Sequence, residues 1–332
     1  MLVSFKLTLG RLAFAGRDLF TNEAIAALSI FDEKELSKEF LFYFLHYFDW
    51  RKAAENDAKI KGMTLNKAKL KKLLVYYPSL TEQKSIVAIL DQAFEGIAKA
   101  RENAEQNLQN AQNIYMPVLD KLFSNLSGSV KPVELRDFVD VLTDYHANGS
   151  YETLKQHVEL KETEDYAWMV KSTDFENDFE NDKRYINKHA YDYLIKSCIV
   201  GGEIIMSKIG NAGKVYLMPA IKRPCSLAMN LFLIRLKTKL SSKFVYYFFK
   251  TSNGTSQIKS RLQGAATQTI TKENVRNLLI PVCSQEKQAE IVSRIESLSI
   301  ETQRLEALYQ RKIALLDELK KSLLQQAFAG EL

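Results

Sequence analysis

Residues 286–328 read EKQAEIVSRIESLSIETQRLEALYQRKIALLDELKKSLLQQAF and contain neither proline nor glycine. Their apolar side chains recur at spacings of three and four, which is the pattern of a long helix with one continuous apolar seam. The seam positions, of which Thr302 is the one polar member, are Ile291, Ile295, Leu298, Thr302, Leu305, Tyr309, Ile313, Leu316, Leu319 and Leu323. Such a helix is roughly 60 Å long, and its seam requires a partner of similar length.

A second stretch of the same kind, residues 82–123, supplies that partner. Its seam positions are Ile86, Leu90, Ala93, Ile97, Ala100, Ala104, Leu108, Ala111, Tyr115, Val118 and Leu122. Two consecutive spacings of four from Ala100 to Leu108 form a stutter, which relaxes a supercoil locally. Pro117 predicts a kink one turn before it or an early end, because proline removes a helical hydrogen bond. We expect the two long helices to pack antiparallel against each other.

The chain also resembles itself at a nearly constant offset of 203 to 205 residues. The matched pairs, in order, are SFKLTLGRLAFA (4–15) with SKIGNAGKVYLM (207–218), LSKEFLFYF (36–44) with LSSKFVYYF (240–248), LNKAKLKKLLV (65–75) with ITKENVRNLLI (270–280), and IVAIL (86–90) with IVSRI (291–295). Ordered matches at one offset indicate a duplication. Each copy then consists of a mixed globular segment followed by a long helix.

The second copy begins near Val130, after the stretch SNLSGSV. Its first part, residues 130–205, has no counterpart in the first copy, so we expect the first globular unit to be incomplete by roughly seventy residues. An incomplete domain exposes apolar faces, for which Phe40, Phe42 and Tyr43 are the candidates. Another polypeptide, or a second copy of this chain, would then complete it.

Composition fits two globular units connected by helices. The chain has 332 residues, 46% of them hydrophobic, and a net charge of +6, which permits a polyanionic partner. The three scattered cysteines are an odd number without metal-ligand spacing, so we expect a reducing, cytoplasmic location. The apolar start is interrupted by Lys6 and Arg11 and reads better as a strand than as a secretory signal or membrane span.

The second globular unit has mixed secondary-structure signals. Short apolar, β-branched runs bounded by Gly or Asn, such as CIVGGEIIMSKIGNAGKVYLM and NLFLIRL, are typical of strands. The segments 243–251 and 256–262 have the pattern of short amphipathic helices, and the acidic stretch 173–187 reads as a solvated loop. The sequence therefore predicts an α+β fold with duplicated mixed α/β domains, the first incomplete, separated by two long antiparallel coiled-coil helices.

Residues recognisable as catalytic or metal-binding are not apparent. The run Gly210 to Lys214, GNAGK, has two residues between its glycines and a valine after the lysine, so it fits a strand-to-strand turn better than a phosphate loop. The four histidines, His46, His146, His157 and His189, are far apart in sequence and do not suggest a metal site. We expect no cofactor and no catalytic residue.

A basic and amide-rich stretch stands out instead: KSRLQGAATQTITK at residues 259–272. Lys and Arg neutralise phosphates, whereas Gln and Thr can hydrogen-bond base edges. The aligned stretch of the first copy, KIKGMTLNKAKLKK at 59–72, is more basic still. A solvated turn with a helix cap is the simpler interpretation of either stretch, but basic residues recurring in both copies favour nucleic-acid binding.

The order of these motifs resembles a known family. The turn-and-helix stretches LLVYYPSLTEQKSIVAILDQAFEGI and LLIPVCSQEKQAEIV, with the C-terminal LLQQAFAGEL, resemble the DNA-specificity subunit of Type I restriction-modification systems over nearly the whole chain. The resemblance implies a partial first target-recognition domain at 1–80, a long helix at 81–129, a complete second target-recognition domain at 130–283 and a second long helix at 284–332.

The resemblance also implies a function without catalysis by this chain. Each target-recognition domain of the family reads half of a bipartite site in double-stranded DNA, while methyltransferase and restriction subunits bind around it. S-adenosylmethionine, ATP and magnesium would belong to those partners, and no membrane is involved. A nuclease with a coiled-coil insertion and a purely structural coiled-coil adaptor are the alternatives, separable by activity of the chain alone and by salt-dependent DNA binding.

The candidate DNA contacts lie in both copies. Lys259, Arg261 and Lys272 are assigned to phosphates, and Gln263 and Gln268 to base edges. The remaining candidates are Lys171, Lys208, Lys214, Thr267 and Thr271 in the second copy, and Lys6, Arg11, Lys59, Lys61 and Lys67 in the first.

Overall fold

The structure is a computed structural model that describes residues 1–6, 8–54, 58–59, 62–63, 65, 67–127 and 130–332, with only the backbone at 58–59, 62–63, 67 and 127. It divides into two compact units. The first contains Met1–Ala111 and Arg304–Leu332, and the second contains Gln112–Gln303. Two helices of 48 and 45 residues are the longest elements.

The first unit combines a small sheet with helices. Its elements are β1 (Leu2–Ser4), β2 (Leu12–Ala13), β3 (Ile25–Ala27), α1 (Lys38–Tyr47), α2 (Trp50–Ala54), β4 (Ala58–Lys59), β5 (Gly62–Met63), α3 (Lys67–Leu70) and the start of α4 (Leu80–Ser127). The sheet is antiparallel in the order β2-β1-β3. Its core includes Val3, Phe5, Leu41 and Trp50.

The second unit is larger and contains two four-stranded sheets. Its strands are β6 (Val133–Glu134), β7 (Val139–Asp144), β8 (Ala167–Val170), β9 (Arg184–Ile186), β10 (Cys198–Ile199), β11 (Ile204–Ser207), β12 (Val215–Leu217), β13 (Cys225–Leu227), β14 (Leu231–Leu236) and β15 (Leu279–Ile280). Its helices are α5 (Tyr151–His157), α6 (Lys188–Tyr193), α7 (Ser242–Lys250), α8 (Ser252–Lys259), α9 (Lys272–Arg276) and the start of α10 (Gln285–Ala329).

One of these sheets has the strand order β12-β11-β14-β7 and is antiparallel throughout. It is buried on both faces. Successive side chains of a strand point to opposite faces. Ile204 and Phe232 accordingly pack against the helices, whereas Ile205 and Leu233 pack towards the second sheet, ordered β10-β13-β8-β9. Double burial explains why β11 and β14 appear in the sequence as continuous apolar runs.

The long helices pack as the apolar seams predicted. In the first unit, Ile86 and Leu90 of α4 share a buried cluster with Leu324 and Ala327 of α10, and Arg101 forms an ion pair with Asp317. The contact partner on α10 therefore moves towards lower residue numbers as the residue number on α4 rises. This order establishes the antiparallel orientation.

The seam expectation is wrong at two positions of α10. Leu305 and Leu319 are 38% and 46% exposed, although Thr302 and Ile295 on the same helix are buried. At the level of Leu305 the half-buried residue is Glu306 instead. A straight helix advances about 3.6 residues per turn, so the buried stripe passes between these two positions and here turns Leu305 outwards.

Two further expectations also need correction. Helix α4 continues through Pro117 to Ser127, so the early end that proline suggested does not occur. Phe40, Phe42 and Tyr43 are not left exposed, because the first unit covers them with its own aromatic residues. The packing partners are Phe328 for Phe40, Phe14 and His46 for Phe42, and Phe94 for Tyr43, whose hydroxyl also donates to Asp91.

The duplication is visible in backbone hydrogen bonds. The N–H of Ser4 donates to the carbonyl of Arg11 at 2.8 Å, and the N–H of Ser207 donates to Lys214 at the same distance. The sheet order β2-β1-β3 likewise repeats as β12-β11-β14, and only the latter continues to a fourth strand, β7, among the described residues. The two copies therefore share one local topology as well as one sequence pattern.

A buried glutamine near the start of α4 joins that helix to the domain before it. Oε1 of Gln83 accepts a hydrogen bond of 2.8 Å from the N–H of Ser37, the residue that caps the start of α1. Its Nε2 donates to the carbonyls of Glu35 at 2.7 Å and Pro78 at 2.9 Å. One side chain thus satisfies three backbone groups in a place that water does not reach.

Gln288 repeats the arrangement at the start of α10. Its Oε1 accepts a hydrogen bond of 2.8 Å from the N–H of Ser241, the residue that caps the start of α7. Its Nε2 donates to the carbonyls of Lys239 at 3.2 Å and Cys283 at 2.9 Å. The side chain is as buried as that of Gln83. We call the two residues the glutamine clamps.

Gln288→Met tests the clamp. The variant keeps the side-chain volume but leaves three backbone groups without their partner, so the free energy of unfolding should fall by about 2–3 kcal/mol. Gln285→Met is the matched control, because Gln285 is exposed and donates a single hydrogen bond, to Thr238. Denaturant titration followed by circular dichroism gives both values; equal losses in the two variants would contradict the clamp.

Candidate nucleic-acid interface

An exposed hairpin at residues 263–269 forms the tip of the candidate interface. The N–H of Gln263 donates to the carbonyl of Thr269 at 2.9 Å, and the N–H of Thr269 donates back at 2.8 Å. Gly264 has a φ of +96°, and a Cβ there would lie 2.3 Å from the carbonyl oxygen of Thr267, so only glycine fits. Gln263, Thr267 and Gln268 have exposed side chains that bond no described residue.

The base of this hairpin is fixed to the sheet. Thr269 forms an isolated antiparallel bridge with Ile209, and the N–H of Ile270 donates to the carbonyl of Lys208 at 3.1 Å. Thr271 caps α9 by accepting from the N–H of Asn274 at 3.1 Å. The exposed amides of the tip are therefore held on a rigid support, as a reader of base edges requires.

Two of the candidate lysines meet at a buried carboxylate beside the hairpin. Nζ of Lys208 lies 3.0 Å from Oδ2 of Asp144, and Nζ of Lys272 lies 2.8 Å from Oδ1. Burial of Asp144 opposes its ionisation, but hydrogen bonds and charges of Lys272 and Lys208 outweigh it and hold the pKa of Asp144 below its usual value. We call this group the lysine pair of Asp144.

The lysine pair keeps the capacity to bind an anion. Two ammonium groups share one carboxylate, so a single positive charge remains uncompensated within the group. Each ammonium carries three N–H donors, of which the carboxylate takes one. Both lysines remain partly exposed. Asp144 thus holds the two cations close together and reduces their mutual repulsion.

An apolar hollow adjoins the lysine pair. It has a volume of about 300 Å³ and is lined by residues that include Leu160, Met169, Ile209 and Met229, with Lys171 at its side. Leu160, Ile209 and Met229 are exposed. An exposed apolar surface beside cations and amides is suited to contacts with thymine methyl groups or the faces of sugars.

Three of the other second-copy candidates already have partners in the chain, whereas Lys259 has none among the described residues. Lys171 donates to Asp182 at 2.8 Å, and Lys214 pairs with Glu176 at 2.6 Å. Arg261 donates to the carbonyls of Gln257 and Asn277, each at 3.0 Å, and so braces the start of the hairpin. Lys259 is exposed and pairs with no described residue.

The candidates in the first copy are only partly described. Lys6 and Arg11 line a hollow of about 530 Å³ on the β2-β1-β3 sheet. Lys61 lies outside the described residues, as do the side chains of Lys59 and Lys67. The structure therefore brings several of the second-copy candidates together and shows no comparable grouping of the first-copy candidates in the part it describes.

Asp144 was not among the residues predicted from the sequence. The residue ends the strand VDVLTD, and a carboxylate at the buried end of a strand is costly unless it is paired. The sequence therefore indicated that Asp144 needs a partner. Its partners Lys208 and Lys272 are 64 and 128 residues away, so only the folded structure identifies them.

Metal and membrane sites do not emerge from the described residues. His157 and His189 approach within 3.3 Å, with His157 stacked on Tyr193, yet no group of three or more His, Cys, Asp or Glu there has the proximity needed to hold a metal ion. Among the same residues, no helix combines the length and apolar character that crossing a membrane requires.

One family model matches most of the chain. A family model described as the Type I restriction modification DNA specificity domain matches residues 1–107 and 128–315. A search of curated proteins gives no match.

Two solved structures have a similar fold. The HsdS subunit from Thermoanaerobacter tengcongensis is 17% identical with a TM-score of 0.61, and the similarity covers 89% of this chain and 70% of that one. The second structure is 16% identical with a TM-score of 0.65, and the similarity covers 91% of this chain and 73% of that one. It is described as the structural basis of complex assembly and conformational transition of the type I R-M system.

Asp144→Asn tests the lysine pair through pH. The folded-state pKa of Asp144 is lowered, so its stabilisation is present at neutral pH and is lost as pH falls through that value, below about 3.9. At pH 7 the variant should lose about 2 kcal/mol of unfolding free energy. The loss should become smaller in denaturant titrations as the pH falls below about 3.9.

The exposed Asp140 on the same strand supplies the control, because it has no described partner. Asp140→Asn should change stability by less than about 0.5 kcal/mol at either pH. A loss in Asp144→Asn that stays constant across the pH series would contradict an ionised, paired Asp144.

Proposed function

This chain belongs to the Type I restriction-modification DNA specificity family, and we propose that its second globular domain reads one half of a bipartite site in double-stranded DNA. The observation that carries the proposal is the hairpin 263–269, which is anchored at its base and presents unpaired glutamine and threonine side chains beside the lysine pair of Asp144. Amide tips next to phosphate-binding cations provide both parts of sequence-specific DNA recognition.

Gln263 and Gln268 are assigned to base edges. A carboxamide can donate to and accept from adenine at once, and a good bidentate pair discriminates by about 1–3 kcal/mol. Thr267 stands between them in the exposed tip and can bond a base or a phosphate through its hydroxyl. The apolar hollow next to Ile209 then contacts the neighbouring base or sugar surface.

Lys208, Lys272 and Lys259 are assigned to phosphates. The first two keep unused N–H donors, and Lys259 is exposed without a described partner. We assign Arg261 to bracing rather than to phosphate, because its N–H groups already serve two backbone carbonyls. Thr271 acts as a helix cap and supports the hairpin from its other end.

Methylation and cleavage are assigned to partner subunits, which would bring S-adenosylmethionine, ATP and magnesium with them. Docking of methyltransferase subunits is assigned to the outer face of α10. Leu308, Leu315 and Leu319 follow one another there at helical spacing and are 56%, 52% and 46% exposed. An exposed apolar stripe on a long helix is suited to a helical partner.

Gln268→Ala tests the base-reading role. The complex is assembled with its methyltransferase subunits, the modified sequence is mapped, and binding is titrated on the matched duplex and on single-mismatch duplexes at several salt concentrations. The variant should lose roughly tenfold or more of its preference at one base position, with an unchanged salt dependence.

Gln303→Ala is the matched control, since Gln303 is an exposed amide on α10 with no described partner. It should alter neither preference nor salt dependence. Full discrimination at every position in both Gln263→Ala and Gln268→Ala would remove the hairpin from the reading surface.

A further inference from the structure

A second positively charged region adjoins the turn that carries Lys208. An open cavity of about 430 Å³ is lined by the turn between β11 and β12 and by the helices α7 and α8. Three lysines line it, Lys214 from the turn, Lys250 from the last turn of α7 and Lys259 from the end of α8. This lysine cavity uses part of the GNAGK motif.

Positive charge in the lysine cavity exceeds negative charge. Glu176 compensates Lys214 at 2.6 Å, whereas neither Lys250 nor Lys259 pairs with a carboxylate in the part of the chain that the structure describes. The dipole of α7 favours a cation in its last turn, which accounts for one such residue. It does not account for three lysines around one cavity.

Lys250 is the informative member of the group. It is half-buried, and its Nζ lies 5.3 Å from the ring of Tyr246. Burial lowers the pKa of Lys250 from its usual value, and the charge of Lys214 lowers it further. A half-buried ammonium next to a second cation is unfavourable, and the negative charge of an anion in the cavity would offset both effects.

The turn beside the cavity also has backbone N–H groups without a described acceptor. The N–H groups of Asn211 and Ala212, which line it, have no acceptor among the described residues. A Cβ at Gly213 would lie 2.3 Å from Cγ2 of Ile258, so glycine lets the turn pack directly against α8. Lysines and free amides are therefore held around one space, as in sites that bind phosphate.

We propose that the lysine cavity binds a phosphate group, supplied by the backbone of the DNA whose bases contact hairpin 263–269. Turn 208–214 borders both places, because Ile209 pairs with Thr269 while residues 211–214 line the cavity. The source of the phosphate rests on the proposed DNA-reading function. The cavity itself would accept the same group from inorganic phosphate.

The test compares Lys250→Met and Lys259→Met with Lys239→Met in the full chain. Lys239 is exposed beyond the opposite end of β14 from Lys208 and has no described side-chain partner. Binding to a mixed-sequence duplex is titrated over a salt series. Each cavity variant should flatten the slope of log K against log salt by about one, and the control should leave it unchanged.

A second arm measures the melting temperature with inorganic phosphate against chloride at matched ionic strength. Phosphate should raise the melting temperature of the wild type and of Lys239→Met, but not that of Lys250→Met. Without phosphate, Lys250→Met should melt no lower than the wild type, because it removes an unfavourable charge and keeps the aliphatic stem. A phosphate effect without a change in the DNA slope would assign the cavity to a free anion.

Cavity variants that match the control in both arms would overturn the proposal. The proposed function is judged separately. If Gln268→Ala still changes base preference, only the lysine cavity has failed. If the wild type binds no duplex in a salt-dependent manner, DNA reading has failed, and the phosphate arm still decides whether the cavity binds an anion.

Discussion

The buried carboxamides of Gln83 and Gln288 are the constraint on which the arrangement of each copy depends. A buried amide costs free energy unless each of its polar groups finds a partner, so the start of each long helix is fixed to the capping serine of the helix before it. Each globular domain is thereby fixed to the helix that follows it. The same joint in both copies is the clearest structural record of the duplication.

Patterns that are local and repeated were predictable from the sequence. Seam spacing predicted both long helices, because many turns of one helix contribute to one periodic signal. The two apolar seams together with the duplication predicted their antiparallel packing. The self-alignment predicted the shared hairpin of Ser4 and Ser207. Which of two neighbouring residues is buried at a given turn of the helix was not predictable. Leu305 and Glu306 compete for the same buried stripe, and seven-residue periodicity does not decide between them.

The candidate interface was predictable in place but not in its internal pairing. Basic and amide residues in 259–272 marked the stretch, and the structure gives its amides an exposed hairpin. The sequence does not show which lysines are paired with carboxylates. In the structure, Lys208 and Lys272 share Asp144, and Lys171 forms an ion pair with Asp182. Such partners come from distant parts of the chain. For the same reason, the surroundings of Lys250 could not be predicted, because they arise from the packing of α7 near turn 208–214.

Hydrogen exchange tests most directly whether hairpin 263–269 faces DNA. The N–H groups of residues 264–268 have no acceptor among the described residues, so they should exchange fast in the free protein. Adding the duplex that carries the recognised site should protect residues 263–269 and turn 208–214. Bound duplex with unchanged exchange in the hairpin, and protection confined to other segments, would contradict the account.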